Sequence, residues 1–443
     1  MKIRRTASPP AQSPPAQSPP AQSPPTHSRV LQGTLGNVTL GDGLWVLPGQ
    51  GNMLAARTDE GIMITDAGSM ALAPVMIDYL RGHTDEPVAA ILYSHGHGQY
   101  NAGVPVWQAH NATRGEPAPR LVAHHNILRR YSRYRETAEL QARTMKAQFP
   151  GRDDLALAVY KTNVDEDMHD PTETFFDRLK VAEGSRPVEL IWAPSETNDC
   201  IAVWYPADGL LFGGPATPGD TIPNIGTPLR TQRFSVRWAD TLDRLAALGA
   251  ERLLTEFGPL VEGADHIRER LSRTAEALRW LRQEVVARMN RGMDEREVLA
   301  DMTYPAALFD QPWMKPTYGA PEYIVRDLFR EENGWWDRNP TSLHPATSAE
   351  IGDAVLSAIA DPQVVLTRAR ELQAAGETQL ALHVVDLLAL APGGDGVVGE
   401  AKALKAELCI ARAQEIAPYV SRGLYRSHAV LLNRGQDSWQ HFT

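Results

Sequence analysis

Residues 91–103 read ILYSHGHGQYNAG. The apolar run that enters this stretch, VAAILY from Val88 to Tyr93, predicts a β-strand. Two histidines follow at once, His95 and His97, one residue apart. Gly96 between them permits a sharp backbone turn, and Gly98 adds freedom behind it. Such a turn lets both imidazoles meet one ion, and neutral imidazoles are good ligands for zinc and iron.

A second polar cluster, SETNDC at 195–200, also follows an apolar strand run, IWAP. There Glu196 or Asp199 offers a carboxylate to the two histidines. Three protein ligands with an open fourth position suit a catalytic zinc, and two histidines with one carboxylate also suit non-haem iron. Cys200 in the same cluster reads as a small buried thiol, with ligand or nucleophile as the other option. His124 and His125 end a strand, RLVAHH, and read as supporting groups rather than ligands.

Short apolar runs broken by Gly, Pro and Asp fill residues 38–69 and predict strands and hairpins. A long amphipathic stretch runs from Asn126 to Phe149, and a second series of strands follows Leu179. The pattern is a layered α/β fold. After Asp265 it turns helical, and Thr303–Pro345 is rich in aromatics and prolines, as expected of a wrapping segment. From Ser348 to about Asn433 only helix patterns remain, with Gly376 at the turn of a helical hairpin.

The chain has 443 residues, enough for two or more folded units, and a formal net charge of −10. That charge argues against nucleic acid or an anionic membrane surface as partner, but local charge in a cleft can still select an anionic substrate. The two cysteines, Cys200 and Cys409, form no CxxC, so no disulfide framework is expected and a reducing, cytoplasmic setting is. No secretory signal and no apolar run of membrane-spanning length is visible. Residues 8–28 repeat SPPAQ and predict an extended, disordered arm.

Taken together, LWVLPGQGNMLAARTDEGIMITDAGS, ILYSHGHGQYNAG, SETNDCIAVWYP, IPNIGTP and GAPEYIVRDLFREENGWWDRNPTSLHP resemble, in family order, the metallo-β-lactamase superfamily and its alkyl-sulfatase-like subgroup. The resemblance runs from about Val38 to Arg434. It implies an αββα sandwich followed by an all-helical dimerisation domain, hence a homodimer. His95 and His97 match the first two metal-binding histidines and Glu196 the carboxylate that completes the first metal site. The second site departs from the family. Gln99 stands at its Asp, Tyr100 at its neighbouring His and Phe257 at its last His. Gly214 or Ala216 falls at the bridging acid, with Asp220 close by in sequence. A two-metal clamp needs those ligands, so a dinuclear centre is not expected. The family's third, lipid-binding-like domain has no counterpart before the sequence stops, which argues against long-chain alkyl sulfates.

The organisation expected is an arm at 1–28, a metallo-β-lactamase-like unit at 29–290, a connector at 291–346, a helical dimerisation unit at 347–435 and a tail at 436–443. The function expected is hydrolysis of a small or medium organic ester or sulfate ester at one divalent metal, zinc before iron, on His95, His97 and Glu196. Tyr100 and Asp199 are the candidate catalytic side chains, Tyr100 as hydrogen-bond donor or general acid. Removing only its hydroxyl, Tyr100→Phe, is expected to leave metal and stability untouched. The alternatives are a metal-independent or mononuclear-iron lyase, isomerase or oxygenase on the same cleft, and a non-catalytic dimer.

Overall fold

A computed structural model describes residues 34–149, 168–436 and 438–442. The SPPAQ arm lies outside the described residues.

Two sheets face each other. The first has seven strands in chain order: β1 (Val38–Gly41), β2 (Leu44–Pro48), β3 (Asn52–Thr58), β4 (Gly61–Thr65), β5 (Val88–Leu92), β6 (Arg120–His124) and β7 (Glu173–Phe175). It begins as an antiparallel meander and becomes parallel from β4 onward. Each parallel step needs a crossover, supplied by α1 (Ala73–Arg81), by α2 (Gly98–Asn101) with α3 (Val104–Thr113), and by α4 (Ile127–Glu136) with α5 (Ala138–Gln148). The second sheet holds β8 (Arg178–Ala182), β9 (Val188–Trp192), β10 (Ile201–Tyr205), β11 (Leu210–Gly214), β12 (Arg252–Thr255) and β13 (Leu260–Glu262) in reverse order across the sheet. Its one parallel pair, β11 with β12, is bridged by α6 (Ser235–Ala246).

Strand β2 shows why the layers form. Its first four residues, LWVL, are all buried. Side chains alternate across a strand, so Leu44 and Val46 point between the sheets while Trp45 and Leu47 point to the outer helical layer. The inter-sheet core joins Leu44, Val46, Leu54 and Leu92 to Leu190, Ile201, Val203 and Phe212. Trp107 and Tyr131, from α3 and α4, cover the outer face of the first sheet. Trp238 and Leu242 of α6, with Leu278 and Leu281 of the long helix α7 (Ala264–Asn290), cover that of the second.

After α7 come α8 (Glu295–Asp301), α9 (Ala306–Phe309) and α10 (Pro321–Asn333). The stretch read as a connector puts Ile324, Val325, Leu328 and Phe329 of α10 into the same core as α6 and α7. The C-terminal helices are α11 (Ser348–Ser357), α12 (Pro362–Ala374), α13 (Thr378–Ala389), α14 (Gly396–Glu415) and α15 (Tyr419–Asn433). They pack round their own cluster, including Leu366, Leu382, Val385, Leu404 and Leu408. Gly376, at φ +79°, makes the α12–α13 turn, where a side chain would be strained.

One expected element divides. The amphipathic stretch from Asn126 breaks into α4 and α5 at Thr137, whose φ and ψ of −114° and 23° leave the helical region. The Thr137 hydroxyl donates to the Arg133 carbonyl at 2.7 Å, closing the first helix locally. No helix among the described residues is long and apolar enough to cross a membrane.

Candidate metal centre and cleft

His95 and His97 sit on the turn that leaves β5. The turn is held from behind. Ser94 N–H donates to Asp66 at 2.8 Å, Ile201 N–H to the Ser94 carbonyl at 2.9 Å, and Gly96 N–H to Asp199 Oδ2 at 2.6 Å. A Cβ at position 96 would stand 2.9 Å from Arg130 Cδ and Ile127 Cγ1 and 3.1 Å from Asp199 Oδ2, so a side chain here would force those groups to shift. Ser94 Oγ lies 2.9 Å from His95 Nδ1, which leaves His95 Nε2 free to face His97 Nδ1 directly.

Glu196 arrives from the loop between β9 and β10. One donor atom from each of His95, His97 and Glu196 lies within 4.8 Å of the others, and among the described residues this is the one such cluster of three ligating side chains. The chemistry fits an ion. Burial holds the His95 ring at about 4 and His97 well below the usual imidazole range, so both are neutral ligands at pH 7. Burial opposes charge on Glu196 too, but Arg233, His95, the Asn224 hydrogen bond and Arg130 together outweigh it and keep the carboxyl below the usual range, hence ionised. Arg233 Nη2 and Asn224 Nδ2 donate to the same oxygen, Oε1, at 2.8 and 2.9 Å.

Beside this cluster lies a group that sequence reasoning missed. Tyr100 Oη donates to Glu256 Oε1 at 2.5 Å, while its ring stands edge-on to His95 with centroids 4.4 Å apart. Burial, reinforced by the charge of Glu196, pushes the Glu256 carboxyl well above its usual range, and burial pushes the Tyr100 phenol up as well. Weighing Phe257 alone, in TEFGP at 255–259, passed over its neighbour. The one signal available was an acid next to a position where the family carries a ligand.

Asp199 receives a different task from the one expected. Its side chain is fully buried behind the histidine turn, with Oδ2 on the Gly96 amide and Oδ1 3.9 Å from Arg130 Nε. It shapes the turn and does not line the cleft. Asp220 is also turned away, paired with Arg270 at 3.1 Å. His124 donates from Nε2 to the Phe176 carbonyl at 2.7 Å and accepts the Asn126 amide at Nδ1, supporting the start of α4. His125 is exposed. Cys200 is buried against Thr197. Burial, then the charge of Asp199, pushes its thiol up to about 12, and burial pushes Cys409 to about 11. A thiolate ligand or nucleophile is not what this environment favours. Ellman's reagent at pH 8 should therefore modify neither cysteine in the native protein and both after denaturation. Fast native reaction of one thiol would show that its burial is incomplete.

The cluster opens into a cleft of about 380 Å³. Gln99, Tyr100, Glu256 and Phe257 form its floor with His97 and Glu196. Arg130, Arg133 and Tyr134 come from α4, Met145 and Phe149 from α5 and just beyond, and Arg230 and Arg233 from the loop before α6. Four guanidiniums thus line one cleft of a chain whose net charge is −10. Arg233 is matched by Glu196, and Arg130 stands over Asp199. Arg133 and Arg230 have no carboxylate partner among the described residues. Arg133 lies over the Tyr134 ring and Arg230 donates to Gln148 Oε1 at 2.7 Å. Tyr318 and Tyr419, from the loop before α10 and the start of α15, complete the wall, their rings stacked at 5.2 Å.

Residues 46–256 match the model of the metallo-beta-lactamase superfamily, and residues 294–435 that of alkyl sulfatase dimerisation. The chain is similar to a linear primary-alkylsulfatase from Pseudomonas sp., 25% identical over 347 residues that cover 73% of this chain and 64% of the relative. It is similar to an (R)-specific secondary-alkylsulfatase from Pseudomonas sp, 22% identical over 408 residues, 87% of this chain and 60% of that one. The chain therefore spans about three-fifths of the length of these curated relatives. Among solved structures, a stereoselective inverting sec-alkylsulfatase from Pseudomonas sp. matches 90% of this chain and 65% of its own, with a TM-score of 0.77 at 20% identity. At that identity the likeness shows a shared fold.

Proposed function

We propose that this chain, whose residues 46–256 match the metallo-beta-lactamase superfamily and 294–435 alkyl sulfatase dimerisation, hydrolyses small or medium organic sulfate esters at a single-ion site formed by His95, His97 and Glu196. The observation that carries this reading is one His-His-Glu cluster opening into an arginine-lined cleft. The donor set favours zinc, and such an ion, when bound, supplies Lewis acidity.

The chain's own residues supply the rest. Arg230 and Arg133, unmatched by carboxylates among the described residues, hold the anionic headgroup; guanidiniums present planar, paired donors to such oxygens. Met145, Phe149 and the aliphatic carbons of Ala138 and Ala142 receive the organic part. Tyr100 turns the Oη proton that rests on Glu256 toward the departing oxygen, and the water consumed in hydrolysis returns a proton to the phenol. Asp199 holds the histidine turn in shape throughout.

Elemental analysis after long dialysis, alongside sulfate release from a panel of short alkyl and aryl sulfates, tests the proposal. One ion per chain with sulfate released is expected. Two tightly held ions, or undiminished turnover after chelation, would overturn it. A homodimer through the C-terminal helices follows from the same family match. Val364, Leu380, Leu387 and Leu390 of α12, α13 and the turn after it are between 45% and 63% exposed, a run of apolar side chains that a partner copy would cover. Light scattering at micromolar concentration should give twice the chain mass, and a monomer would contradict this.

A further inference from the structure

The C-terminal helices do more than form their own bundle. Helix α15 lies against α5 at unusually short range. A Cβ on Gly423 would stand 2.1 Å from the Gln148 carbonyl oxygen, so only glycine lets the two helices approach this closely. One turn on, Ser427 Oγ donates to the Ala147 carbonyl at 2.6 Å. The end of α5 is therefore clamped by α15 at two successive residues.

Gln148 faces the other way. Its side chain is 2% exposed. Nε2 donates to the Pro228 carbonyl at 3.0 Å, and Oε1 accepts from Arg230 Nη2 at 2.7 Å. The carboxamide thus bridges α5 to the loop that carries Arg230, and it satisfies one guanidinium nitrogen without neutralising the charge. A carboxylate in the same place would hold the arginine equally well and cancel it. A neutral acceptor is what a site needs if the arginine is to be aimed and yet remain available to an anion.

We infer that Gln148 is a positioning residue: clamped from behind by α15, it aims the Arg230 guanidinium into the cleft, so that the C-terminal helices set the anion-binding part of the site. This rests on the sulfate-ester reading above. It assigns to a buried glutamine and to Gly423, a residue of the helical end, an effect on ligand affinity that a merely structural role would not have.

Calorimetric titration of the full chain with inorganic sulfate tests it, with melting temperature and metal content measured on the same samples. Gln148→Ala should weaken sulfate binding about tenfold, the lower end of what a lost hydrogen bond to a charged group costs, with metal content unchanged. Gln148→Glu keeps the size and the acceptor but pairs with Arg230. It should lose sulfate binding by at least as much while melting near the wild type, and it serves if the alanine variant fails to fold. Gly423→Ala should weaken sulfate binding too, although position 423 does not line the cleft. Wild-type sulfate affinity in Gln148→Glu would overturn the positioning role. Wild-type affinity in a Gly423→Ala protein whose melting temperature has dropped would overturn the part given to α15. A wild-type chain that binds no sulfate would overturn the sulfate-ester reading, and this inference with it.

Discussion

Glu196→Gln is expected to empty the metal centre and reduce turnover to background while the protein stays folded. Two neutral imidazoles are too few to hold an ion firmly at ordinary free-metal levels. The amide is the informative substitution because of what surrounds it. Arg233 is 5% exposed and donates to Glu196 Oε1, so Glu196→Ala would leave a buried guanidinium unpaired at a cost of roughly 3–5 kcal/mol. Loss of activity in that variant would then reflect unfolding as much as lost ligation. In Glu196→Gln the oxygen that accepts from Arg233 and Asn224 remains and only the charge is gone. His95→Ala provides the matching result from another ligand, with Ser94 Oγ losing its partner. Metal content by elemental analysis is the deciding measurement. Stoichiometric metal in Glu196→Gln would show that the carboxylate is no ligand and serves Arg233 alone.

Tyr100→Phe is expected to lower the rate by roughly a hundred- to ten-thousand-fold, the range of general acid catalysis, with metal content unchanged. Sequence reasoning expected stability to be unchanged as well, because the ring is kept. The Glu256 contact alters that. Without the phenol, a buried carboxyl loses its hydrogen-bond donor, which costs about 1–3 kcal/mol. Melting should fall by a few degrees. Glu256→Gln keeps an acceptor for the Tyr100 hydroxyl and should restore most of the rate that Glu256→Ala loses. A Tyr100→Phe protein with wild-type turnover would leave the phenol as packing against His95.

The sandwich was legible because strands buried on both faces read as short apolar runs, and Gly, Pro and Asp mark their ends. The histidine pair was legible because its two imidazoles stand two residues apart. The polar cluster after the strand offered Glu196 or Asp199, and only the family resemblance singled out Glu196. Glu256 was not legible, since its meaning comes from a partner 156 residues earlier in the chain. The arginines were hidden by dispersal: 130 and 133 lie on a helix, 230 and 233 on a loop, and no spacing unites them. The Asp199 task was misjudged because a carboxylate beside a ligand looks the same in sequence whether it meets an ion or a backbone amide. The break at Thr137 was missed because hydrophobic periodicity continues across it.

The stack of Tyr318 on Tyr419 has a practical consequence for protein engineering. Both rings belong to the segment at 294–435 that matches alkyl sulfatase dimerisation, and Tyr419 N–H also donates to the Thr317 carbonyl at 3.0 Å. The helical end is thus not a portable accessory. A chimera that joins this sandwich to another chain's helices imports a foreign wall into the reaction chamber, and its substrate range should follow the donor of residue 419 as well as the donor of the histidines.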